Sequence, residues 1–194
     1  KNTNYNYAPT YTGPGHASVY TGSTPAFHGI IGNNWFVIDS GKVIYVTDDP
    51  SVQTVGSLSE KEGKMSPRNM LASTIGDELR LYSNMKSKVI AVALKDRAAI
   101  LPGGHLSTGS YWFDSESGNF ITSTYFMKSL PQWVIDFNSR RLADKYLSQP
   151  WNTLIPIEQY TESAKDDNPY EGLYEGESKP VFPHNLPAMF TKTN

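Results

Sequence analysis

A chain of 194 residues with a formal charge of −2 and 38% hydrophobic residues is long enough to bury a core and too evenly charged for a nucleic-acid scaffold. No apolar run approaches the ~18 residues that a membrane span needs, and the absence of cysteine excludes thiolate metal sites, disulfides and cysteine nucleophiles. The opening, KNTNYNYAPT, is polar and shows no signal-like segment, as a mature protein or an internal fragment would; the many Tyr, Asn, Ser, Thr and Gly are common in exported proteins.

Residues 13–21 are predicted as a short helix with Thr12 as its N-cap. Residues 34–38 and 43–47 are β-rich and flank Asp39-Ser40-Gly41, which predicts a hairpin. Residues 48–65 are polar and read as a loop. Ser66-Pro67 is expected to open a helix, because Ser caps, Pro suits the first helical position, and Leu71, Ile75, Leu79 and Tyr82 recur at helical spacing. The apolar run 89–94 suits a strand buried on both faces of a parallel sheet. Strands are expected at 110–113 and 119–124 around Asp114–Gly118. A second helix is expected from Pro131 through Trp133, Val134, Phe137, Leu142 and Leu147. From about 150 to 194 the pattern decays into a Pro- and Gly-containing stretch that reads as an excursion across a surface.

The segment Thr12-Gly13-Pro14-Gly15-His16 carries the chemistry. A hydroxyl at a helix start lies beside free N–H groups and the positive end of the helix dipole, where anions bind. Gly13 and Gly15 allow a tetrahedral anion close to the backbone. An isolated Thr in this place would ordinarily be a plain cap, and neither GxxxxGK[ST] nor GxGxxG is present. At the end of the run 89–94 stands Lys95-Asp96-Arg97. In an extended segment Lys95 and Arg97 point to one side and Asp96 to the other, at the strand end where open α/β sheets bind ligands. Lys offers a point charge and Arg a fork fitting two phosphoryl oxygens; a solvated charge cluster is the alternative.

Thr12-Gly13-Pro14-Gly15-His16, then Tyr20-Thr21-Gly22, then His28-Gly29-Ile30-Ile31-Gly32-Asn33, resembles the nucleophile region of the alkaline phosphatase superfamily. The likeness is to the branch of nucleotide pyrophosphatase/phosphodiesterases and zinc-dependent alkaline phosphatases with a threonine nucleophile, and it is strongest over residues 10–36. Sulfatases of the superfamily carry Cys or Ser first and Arg fifth in this turn, so sulfatase chemistry is not expected. Ser66-Pro67-Arg68 lacks that motif's spacing.

The resemblance implies an α/β fold that is part of an alkaline-phosphatase-like layer sandwich: a mostly parallel sheet covered by helices, with a β-rich excursion. It implies phosphate monoester hydrolysis through a phosphothreonine on Thr12, with Asn33, Lys95 and Arg97 on the phosphoryl oxygens. It also implies two zinc ions, one touched by the Thr12 oxygen. The Lys-x-Arg pair is a feature of the phosphatases; the diesterases generally lack it. A phosphodiesterase or nucleotide pyrophosphatase is therefore the alternative activity, and a non-catalytic fragment the alternative of another class. Small phosphate esters are the expected substrates and the periplasm or exterior the expected location.

The family's Asp and His zinc ligands have no counterparts at matching places. His16 and His28 belong to structural turns, and His105 and His184 read as surface or packing residues. Residues 1–194 are thus expected to be an incomplete segment of one catalytic domain, inactive alone and able to pair with the remainder of that domain.

Overall fold

The computed structural model describes residues 4–189. They form two compact units, one up to Ser139 and one from Arg140 onward. In the first, the chain runs α1 (Thr12–Thr21), α2 (Pro25–His28), β1 (Asn34–Val37), β2 (Lys42–Tyr45), β3 (Thr54–Val55), α3 (Ile75–Tyr82), β4 (Ile90–Ala93), α4 (Asp96–Gly103), β5 (Gly109–Asp114), β6 (Asn119–Ser123) and α5 (Gln132–Ser139).

The expected hairpin is β1–β2, antiparallel, with Asn34 opposite Tyr45 and Val37 opposite Lys42. The second sheet has the order β3-β6-β5-β4. Its β4–β5 pair is parallel and is joined through α4, a βαβ unit. The β5–β6 and β3–β6 pairs are antiparallel. The fold is α/β, with a mixed sheet flanked by helices. The turn between β5 and β6 forms because Asp114 accepts from Glu116 N–H and the Ser117 hydroxyl, while Gly118 adopts φ 72°.

Two buried clusters meet at α4. Leu101 packs with Ala17 of α1, Ile30, Val46 and Met70, and with Trp35 and Tyr45 of the hairpin. Its neighbour Ile100 packs with Trp112 of β5 and Ile121 of β6. Consecutive helical residues lie about 100° apart around the axis, so α4 joins the two cores. Helix α5 packs on β6. Trp133 meets Tyr111 edge to face with ring centroids 5.1 Å apart, and the Asn138 amide accepts from Phe120 N–H at 2.8 Å and donates to its carbonyl at 2.9 Å.

Several sequence expectations are corrected. The helix expected from Ser66 begins at Ile75, because Thr74 and Asp77 form a capping box there. Ser66 instead donates its hydroxyl to Asp49 at 2.6 Å, and Pro67 accepts from Met70 N–H in a turn. Leu71, Ile75, Leu79 and Tyr82 are exposed. The run 89–94 is not buried on both faces: β4 is the last strand of its sheet among the described residues, and Ile90 and Val92 are 52% and 56% exposed. An apolar run cannot report whether a strand has one neighbour or two. Within the loop 48–65, Thr54–Val55 adds a short strand and Asp48 bridges to Met65. The single helix expected after Pro131 is two, α5 and α6 (Leu142–Leu147), separated where Arg141 takes φ 47°.

The second unit holds α6, a 3-10 turn at Ile157–Gln159 and α7 (Leu186–Met189). Trp151 and His184 form a two-way backbone bridge at 2.9 and 3.0 Å. His184 is buried against the rings of Trp151, Tyr174 and Phe182, and its Nδ1 lies 3.0 Å from both Glu177 oxygens.

Asp77 ties α3 to the end of α4. Its carboxylate accepts from Thr74 N–H at 2.8 Å and Leu106 N–H at 2.6 Å and faces His105 Nδ1 at 3.6 Å. Gly104 sits against this box at φ 78°, where an added Cβ would strike Thr74 Oγ1 and Asp77 Oδ2. Burial alone would raise the Asp77 pKa, but His105 and the backbone N–H groups outweigh it and hold it at about 2. The hydrogen bond to Asp77 raises His105 against its own desolvation. The Asp77 contribution is complete above its ordinary 3.8 and is lost as pH falls toward 2. The His105 contribution is complete below its ordinary 6.5 and is lost as pH rises through the raised value. Asp77→Ala is therefore expected to cost about 2–3 kcal/mol near pH 5, with a smaller deficit at both pH extremes. Urea denaturation across pH 3–9 measures it; a deficit independent of pH would contradict the assignment.

Candidate functional site

The first turn of α1 is built around one borrowed acceptor. Tyr11, not Thr12, is the N-cap residue, with φ −67° and ψ 164°, and it makes no side-chain cap. Thr12 is the first helical residue and is exposed, which corrects its expected role as cap. Gly13 N–H donates to Asn33 Oδ1 at 2.7 Å, Pro14 has no N–H, and Gly15 N–H donates to Tyr11 O at 2.9 Å. The first turn thus offers fewer free donors than an ordinary helix start; Thr12's own N–H is the one left over among the described residues.

The same bond orients Asn33. Its Oδ1 is engaged by Gly13, so the Nδ2 donor is left for a ligand. Gly13 is required for the approach: an added Cβ would lie 3.1 Å from both Asn33 Oδ1 and Gly32 O. The turn carrying Asn33 is fixed by His28, which is buried. His28 Nδ1 accepts from Ile30 N–H at 3.1 Å, so the neutral ring donates through Nε2 to Ser18 Oγ on α1 at 3.0 Å. Burial lowers the His28 pKa and keeps the ring neutral.

Lys95-Asp96-Arg97 does not continue strand β4. Lys95 is the extended N-cap residue of α4, and Asp96 and Arg97 lie in its first turn. The expected same-side pairing of a strand is replaced by a helix start, and Asp96 does not face away. It accepts from Tyr45 Oη at 2.9 Å and from the hydroxyl of buried Thr47. Arg97 Nη1 donates to Tyr45 Oη at 2.8 Å, while its Nε is buried without a partner among the described residues. Arg97 lies close enough to His16 on α1 to lower that imidazole's pKa, an effect added to the larger one of burial. Lys95 is exposed, and its charge partly offsets the acidic surroundings of Glu62.

Thr12 and Asn33 are thus brought together directly, through the Gly13 N–H. Arg97 stands beside the same helix through His16, and Lys95 precedes it by two residues. Tyr45 and Thr47 were not singled out from sequence. Their i, i+2 spacing at the end of β2 signals a shared face, but nothing local says that this face meets α4. His105, bonded to Met70 O at 2.9 Å and facing Asp77, and His184, paired with Glu177, each have one carboxylate neighbour. Among the described residues no group of three or more His, Asp or Glu side chains is placed to hold a metal ion.

Over 184 residues the chain is 55% identical to the alkaline phosphatase PhoV of Synechococcus elongatus, covering 95% of this chain and 33% of that protein. It is 49% identical to the alkaline phosphatase PafA of Elizabethkingia meningoseptica, over 94% of this chain and 34% of that protein. It is 50% identical to a Myroides odoratus protein named calcium-transporting ATPase, over 96% and 34%. The crystal structure of wild-type PafA superposes with a TM-score of 0.92 at 48% identity, covering 95% of this chain and 36% of that one. A variant of PafA, with a TM-score of 0.89, carries substitutions at a threonine, an asparagine, a lysine and an arginine. Those four are separated by the same intervals as Thr12, Asn33, Lys95 and Arg97. The chain spans about a third of the length of these relatives. The type I phosphodiesterase / nucleotide pyrophosphatase family profile matches residues 1–172, and the chain belongs to that family.

Proposed function

We propose that this chain carries the nucleophile and the phosphoryl-binding side chains of a phosphate monoester hydrolase. The observation that carries the reading is the 2.7 Å bond from Gly13 N–H to Asn33 Oδ1, which sets an amide donor beside an exposed hydroxyl at a helix N-terminus. The Thr12 Oγ1 attacks phosphorus in line, the bond to the leaving oxygen breaks, the hydroxyl proton passes through solvent to the leaving alcohol, and a phosphothreonine forms. Water then attacks the same phosphorus and releases phosphate and Thr12. Asn33 Nδ2, Lys95 and the Arg97 guanidinium bind the non-bridging oxygens, where the developing charge needs fixed donors. The two zinc ions implied by the resemblance do not fit the described residues, which hold no converging ligand set beyond the Thr12 hydroxyl. We infer zinc dependence only for a longer protein able to complete the site.

A phosphodiesterase or nucleotide pyrophosphatase is the second reading, favoured by the description of the family whose profile matches. The Lys95/Arg97 pair speaks for the monoesterase, because a monoester presents one more negative charge than a diester. A periplasmic or extracellular location is part of the same proposal, supported by the export-like composition.

In the full-length protein, Thr12→Ala is expected to abolish most turnover and Thr12→Ser to retain part of it. Acid quenching with a labelled phosphate ester should mark the peptide holding Thr12; a label elsewhere would overturn the nucleophile. Replacing Lys95 and Arg97 together by Ala should lower kcat/KM on monoesters by about 10²–10³-fold, the scale of a lost oxyanion donor, and affect diesters far less. Equal losses on matched substrates would favour the diesterase.

The exposed Ile90, Val92 and Leu94 near β4 and Ile75, Leu79 and Tyr82 on α3 are proposed to pair with the remainder of a longer domain. The 194 residues expressed alone are expected to self-associate, to bind zinc weakly and to turn over no chromogenic monoester. Sedimentation, zinc titration and assay examine this. Tight binding of two zinc ions with turnover would mean that further side chains, His105 or His184 first among them, do serve the metals.

A further inference from the structure

The hydrogen bonds around Arg97 form a relay in which a neutral hydroxyl stands between the cation and its nearest bonded carboxylate. Tyr45 Oη donates to Asp96 Oδ1 at 2.9 Å and accepts from Arg97 Nη1 at 2.8 Å. The other Asp96 oxygen accepts from Thr47, which is fully buried. Arg97 makes no ion pair among the described residues, so its charge is steered without being neutralised. With Nη1 engaged, the guanidinium's remaining fork is the Nε–Nη2 edge, and Nε is the buried donor that lacks a partner. A buried unpaired N–H on a cation is costly and calls for an acceptor. An Nε–Nη2 edge is the geometry that binds two oxygens of one phosphoryl group.

We propose that Tyr45 is the positioning residue of the phosphoryl site: its hydroxyl, held by Asp96 and Thr47, turns Arg97 so that the Nε–Nη2 edge meets two phosphoryl oxygens. The proposal rests on the reading that Arg97 binds the phosphoryl group. Burial first, and then the Asp96 carboxylate, push the Tyr45 hydroxyl up to about 12 against the opposing influence of Arg97, so it stays a donor to Asp96 through the alkaline range. The Tyr45 ring packs on the core with Trp35, and Phe would preserve that packing.

The test is a double-mutant cycle in the full-length protein, read on a monoester and a diester with the same leaving group. Tyr45→Phe should lower monoester kcat/KM about 10- to 100-fold, as misplacement of a binding group does, and change diester hydrolysis and thermal midpoint little. Asp96→Asn should act in the same direction. In an Arg97→Ala background, Tyr45→Phe should have no further effect on the monoester. A Tyr45→Phe loss that is undiminished in that background, or is equal for both substrates, would overturn the proposal. If Arg97→Ala is costly while Tyr45→Phe is silent, only the positioning role falls; if Arg97→Ala is itself silent on monoesters, the phosphatase reading of Arg97 falls and takes this role with it.

Discussion

The structure of the first unit depends on α4 lying between two cores. Leu101 faces α1 and the hairpin, and Ile100 faces β5 and β6. The hydrophobic burial that joins these layers also seats the start of α4 beside α1. The two helix starts that carry Thr12 and Arg97 are therefore set by packing of apolar side chains several residues away. No direct bond between the two polar residues is needed, which leaves their donors available to a ligand.

The polar groups then refine what packing sets. Gly13 gives its N–H to Asn33. Asp96, in the first turn of α4, fixes Tyr45 and through it Arg97. His28 pins the intervening turn to α1 with one ring nitrogen on the backbone and the other on Ser18. Arg97 is thus held through the Tyr45 hydroxyl and not by a direct ion pair among the described residues.

The contrast between β4 and β5 carries a related lesson. The more apolar run, 89–94, is the more exposed strand, whereas Ser110, Tyr111 and Trp112 of β5 are buried. Burial follows the number of neighbours a strand has, and the apolar outer residues of β4 and of α3 are left exposed among the described residues. Ser66-Pro67 reads as a helix start before the period of Leu71, Ile75, Leu79 and Tyr82, yet the helix begins only at Ile75, where Thr74 and Asp77 cap each other. The Ser-Pro start signal is the misleading one and the capping box the correct one.

What the residues determined alone was local. Thr-Gly-Pro-Gly-His and His-Gly-Ile-Ile-Gly-Asn are legible because small residues, a proline and a left-handed glycine (Gly29, φ 78°) restrict the backbone whatever surrounds it. The hairpin and the β5–β6 turn are legible for the same reason, and so is the family. Which residue caps α1, on which element Arg97 sits, that Asp96 turns inward, and that Tyr45 and Thr47 meet Asp96 were decided by tertiary structure. Those outcomes join residues some fifty positions apart, such as Tyr45 and Asp96. They arise when α4 packs between its two cores and brings its first turn against the end of β2, a meeting that no local pattern encodes.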